Sequence, residues 1–92
     1  MSSRTDKPDN RLFADVVQAM GLSPIFGPGT LRRALADVGS VPASARPETY
    51  LRALPHIEAR MKAFLDDTAV RAGIERVRAV LRQELDRSGE SG

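Results

Sequence analysis

The chain has 92 residues, room for one domain, and carries fourteen basic and twelve acidic side chains for a formal charge of +2. It has no cysteine and one histidine, which excludes disulfides, iron–sulfur clusters and thiolate nucleophiles and leaves too few ligands for a zinc site. So small a net charge does not by itself select a nucleic-acid partner, although twelve of the fourteen basic residues are arginine.

Residues 1–9 hold no large apolar side chain after Met1, and residues 88–92 read Ser-Gly-Glu-Ser-Gly. Both are expected to be disordered tails around a helical domain at 10–87. No apolar run follows the N-terminal residues, and none approaches the roughly 18 residues of a membrane span. A cytoplasmic location is therefore expected. The preference for arginine over lysine, with many alanines, points to a high-GC bacterial coding sequence.

Asp9 and Asn10 are suitable N-caps. After them Leu12, Phe13, Val16, Val17 and Met20 form one apolar stripe, which predicts a first helix over 10–20 with Gly21 as its C-terminal stop. Ser23 and Pro24 can open a single 3₁₀ turn that points Ile25 and Phe26 inward, as a plug for one end of the bundle. Pro28 suits the first turn of a second helix, whose stripe is Leu31, Ala34, Leu35 and Val38 and whose stop is Gly39.

A loop of small residues around Pro42 follows. Pro47 and Glu48 then open a third helix bearing Tyr50, Leu51 and Leu54. Pro55 is expected to break it, because proline pushes the preceding residue out of the α region. A fourth helix then carries Ile57, Met61, Phe64 and Leu65. Asp66, Asp67 and Thr68 supply a cap for the fifth and longest helix, with its stripe at Val70, Ile74, Val77, Leu81 and Leu85. Gly73 inside it marks either a close helix crossing or the true helix start. No segment alternates with period two. The expected fold is all-α, a compact bundle of about five short helices with the longest C-terminal. In helix count and length this resembles the general plan of small helical adaptor domains such as SAM and death-fold modules.

Candidate chemistry is sparse. His56 follows Pro55, where a surface or capping role accounts for it. Asp66 and Asp67 are adjacent and do not face each other as an acid/base pair would, and capping explains them. Gly27-Pro28-Gly29-Thr30 opens a helix as a phosphate loop does, but it lacks the lysine and the glycine spacing of one. No catalytic, cofactor or metal site is expected. Arg32 and Arg33 on the second helix and Arg71, Arg78 and Arg82 on the fifth could meet phosphates. However, the long gap from Gly39 to Arg46 does not fit a helix-turn-helix, and Glu75 and Asp86 interrupt the arginine line.

The fifth helix is broadly apolar. Val80 lies about 100° from the middle of its stripe, and Ala72 and Ala79 widen the apolar surface further. Ile74, Val77 and Leu81 are expected to hold the core, and the candidate partner-binding set is Arg71, Val77, Arg78, Val80 and Arg82. The function expected from this is a non-enzymatic protein–protein interaction or oligomerisation module of a bacterial regulatory or adaptor protein, with a protein partner or a second copy. The alternative is a small nucleic-acid-associated transcriptional regulator.

Overall fold

The computed structural model describes residues 8–91. Four α-helices follow one another, α1 (Pro8–Met20), α2 (Gly27–Asp37), α3 (Pro47–Met61) and α4 (Asp67–Ser91), with a 3₁₀ turn at Pro42–Ser44 before α3. No strand occurs among the described residues. The helices close a ring in which α4 packs on α1 and α3, α3 packs on α2, and α2 returns to α1.

Each helix turns its apolar stripe to the centre of that ring. Leu12, Val16 and Met20 come from α1 and Leu31, Ala34 and Leu35 from α2. Tyr50, Ala53, Leu54, Ile57 and Met61 come from α3, and Val70, Ile74, Val77 and Leu81 from α4, all of them buried. A fully buried side chain of this size contributes about 1.5–3 kcal/mol of transfer free energy, so the core carries most of the stability.

The helix ends follow from local chemistry. Gly39, at φ +76°, lets the amides of Gly39 and Ser40 turn back onto the carbonyls of Ala36 and Leu35 in a Schellman arrangement. Gly21, at φ +81°, plays the corresponding part after α1. The Asp66 carboxylate accepts from the Ala69 amide at 2.8 Å and starts α4. Asp37 ends α2, where a negative charge opposes the helix dipole. Arg60 donates to both its oxygens at 2.9–3.1 Å, which offsets the conflict, and His56 Nδ1 lies 3.6 Å from the same carboxylate. His56 is thus half-exposed, on the surface beside a helix end.

Three expectations need correcting. First, the third and fourth predicted helices are one, because α3 runs through Pro55. Proline removes the amide that would bond the Leu51 carbonyl. Both residues are exposed, so the defect sits on the solvent side while Leu54 and Ile57 keep the helix seated on the core. That helix stops at Met61, leaving Phe64 and Leu65 in the turn before α4. Second, α1 starts at Pro8, which puts Asp9 and Asn10 inside its first turn, and α4 continues to Ser91, beyond the predicted end at 87. The N-terminal tail expected at 1–9 lies outside the described residues except for 8 and 9, which are helical.

The third correction concerns Ile25 and Phe26, which do not plug the bundle. Ile25 is 82% exposed and Phe26 53%. The core closes without them, with Met20 and Met61 fully buried, while the start of α2 presses against α1. A Cβ on Gly27 would lie 2.9 Å from Val17 Cγ1.

Gly73 resolves as a close crossing. A Cβ there would meet the Met20 carbonyl oxygen at 2.7 Å and Met61 Cε at 2.6 Å, so the C-terminus of α1 lies almost against the backbone of α4. One turn further along, Arg76 Nε donates to the Ala19 carbonyl at 2.9 Å. Gly73 gives the approach, and Arg76 satisfies a carbonyl that the end of α1 leaves open.

Candidate functional site

The predicted contact residues of α4 do not share one face. Val77 is fully buried and supports the helix from beneath, so it is not part of a contact surface. Val80 is half-buried on the α1 side, in a groove with Arg11, Asp15 and Arg76. Arg71, Arg78 and Arg82 lie on the α3 side. On the helical wheel Val80 and Arg78 are about 160° apart, because two residues advance the helix by about 200°.

The arginine side is exposed. Arg78 and Arg82 border a recess of about 310 Å³ together with Leu51 of α3 and Leu85 of α4. Leu51 is 37% exposed and Leu85 half-buried. Past Arg78 the seam between the helices opens into a second recess of about 430 Å³ that includes Arg71, Ile74, Glu58 and Glu75. Among the described residues, none of Arg71, Arg78 and Arg82 has a carboxylate within ion-pair distance.

The second candidate surface was not foreseen from sequence. Phe26, at the start of α2, and Phe64, in the turn before α4, bring their rings to 5.2 Å between centroids, and Phe64 is 47% exposed. With Ile25 beside them, these side chains expose on the order of 300 Å² of apolar surface, the size of the largest patch on an ordinary monomer and one that is often functional. The loop that carries Ile25 and Phe26 is stiff. Pro24 and Pro28 bracket it, and the Ser23 carbonyl accepts from the amides of Phe26 and Gly27 at 3.1 and 2.8 Å. No charged residue occurs from Gly21 to Leu31. The signal for this surface lay in that uncharged, proline-braced segment, which is equally suited to entering a core or to standing outside one.

Other polar candidates belong to the scaffold. Thr30 is buried, so the Gly27–Thr30 segment offers no free hydroxyl to a phosphate. Arg32 lies over the Phe13 ring at 5.6 Å, tying α2 to α1. Among the described residues, no group of three or more His, Asp or Glu side chains is placed to hold a metal ion, and no helix is long and apolar enough to cross a membrane. No protein-family model, curated protein or solved structure matches this chain.

Proposed function

We propose that this chain is a non-enzymatic protein–protein interaction module, a cytoplasmic regulatory or adaptor domain that docks a protein partner through Ile25, Phe26 and Phe64. The observation that carries this reading is the exposed Phe26–Phe64 ring pair beside Ile25, with Ile25 and Phe26 held on a rigid, uncharged turn. A floppy apolar loop would lose entropy on docking, whereas a turn braced by two prolines is already ordered and loses little. Aromatic side chains held this way are the usual anchors of protein interfaces. The exposed area is below the roughly 800 Å² per partner of a standard interface, so these residues form the centre of a contact whose rim comes from the surrounding polar surface.

The double substitution Phe26→Ser, Phe64→Ser tests this. Both rings are half-exposed, so the fold should lose less than about 2 kcal/mol and keep its helical circular dichroism. Association should fall at least tenfold, in sedimentation for a second copy or in affinity capture for another protein. Unchanged association with an intact fold would refute the reading.

The alternative, a small nucleic-acid-associated regulator, draws on the unpaired Arg71, Arg78 and Arg82. It requires binding to duplex DNA that weakens steeply with added salt.

A further inference from the structure

We infer that the seam between α3 and α4 is a second docking site, separate from the Ile25–Phe26–Phe64 surface, and that its occupant is an acidic amphipathic helix of a protein partner. The two recesses share Arg78 and run from Arg71 to Leu85 along α4. Fourteen residue-to-residue steps at 1.5 Å each make this about 21 Å, the length of a four-turn helix. Grooves between helices receive such helices through apolar anchors spaced three or four residues apart. Leu51 and Leu85 offer an apolar floor for one anchor, and Ile74, packed into the core below, closes the floor of the other recess.

Charge selects the occupant. Arg78 and Arg82 rise beside the leucine recess, and among the described residues no carboxylate lines that end of the seam. Within α4, Glu75 and Asp86 stand four residues after Arg71 and Arg82, the less favourable order for a helical ion pair, and neither pair closes. These guanidiniums can therefore take carboxylates from another molecule without breaking an internal bond. Their planar, multidentate donors match carboxylates well. At the other end Lys62 and Arg71 alternate with Glu58, Asp67 and Glu75. A nucleic-acid backbone, uniformly anionic and without apolar anchors, would meet those acids and leave the leucine recess unfilled. A helix with leucines on one face, glutamates beside the leucine that meets Arg78 and Arg82, and both signs of charge toward Glu58 and Glu75 suits both ends.

The test uses the full chain and a synthetic peptide of about 16 residues, fluorescein-labelled, with leucines at helical spacing, glutamates on both flanks of one half and alternating lysine and glutamate in the other. Anisotropy titration should show saturable binding that weakens several-fold between about 50 and 200 mM NaCl. Arg78→Glu with Arg82→Glu should lower affinity at least tenfold, and a peptide with lysine in place of glutamate should bind that variant better than it binds the original chain. Both arginines are exposed, so the variant should stay folded; if circular dichroism shows otherwise, Arg78→Gln with Arg82→Gln replaces it, again with a several-fold loss expected. The Phe26→Ser, Phe64→Ser chain should bind the peptide normally, which keeps this proposal separable from the one above. No saturable binding, equal binding of the lysine peptide by the original chain, or tighter binding of a duplex DNA of similar length would each overturn it.

Discussion

Replacing Gly73 with alanine should destabilise the fold by about 2 kcal/mol, although alanine is the better helix former by about 1 kcal/mol. Helix propensity and packing give opposite signs here, and the contacts decide between them. The added methyl would sit 2.6 Å from Met61 Cε and 2.7 Å from the Met20 carbonyl oxygen. The methionine end can swing away. The carbonyl belongs to the last residue of α1, and it can move only if α1 lifts from α4. Such a shift would also stretch the bond from Arg76 Nε to the Ala19 carbonyl. Urea denaturation with an unchanged slope and a lower midpoint is the expected record. A midpoint that rises would mean that α1 and α4 are further apart than the 2.7 Å contact at Gly73 requires.

Leu81→Ala should cost about 3–4 kcal/mol, a large share of the total for a domain of this size. Leu81 is fully buried on the α4 face that meets the core, one turn beyond Val77 and two turns beyond Ile74. The small bundle offers little slack to refill the cavity. Val80→Ala, one residue earlier and half-buried on the α1 side, should cost about 1 kcal/mol. The contrast between neighbours, read from chemical denaturation, checks the rotation of α4 about its axis, and therefore which side chains its arginine face can present. Equal losses would put Val80 in the core and turn that face away from α3.

The all-α bundle was legible because its signals are local. Gly21 and Gly39 stop helices, Asp66 starts one, and the stripes at 12–20, 31–35 and 70–81 carry their own period. Features that depend on a distant neighbour were not legible. Pro55 stays helical because the residues either side of it are anchored in a core that local sequence does not reveal, so the tertiary contacts outweigh a cost of about 3 kcal/mol. Ile25 and Phe26 have the composition of core residues, and nothing local in the sequence says that the core closes without them. The same holds for the site. The helical wheel correctly put Arg71, Arg78 and Arg82 together, but it could not say that α3 would bring Leu51 to them, or that α1 would claim the side on which Val80 lies. Arg76 gave no signal at all, since a surface arginine and one that caps another helix look alike in sequence.

The claim that this chain docks a protein through Ile25, Phe26 and Phe64 is tested most directly by position-specific photo-crosslinking in the native cell. A photoreactive residue in place of Ile25, which is 82% exposed, should yield a discrete adduct with one protein or with a second copy. The same residue in place of Ala36, exposed on α2 and away from the patch, should not, and the Phe26→Ser, Phe64→Ser background should abolish the adduct from position 25. Equal adducts from both positions, or no protein adduct from position 25 in a folded chain, would contradict the account.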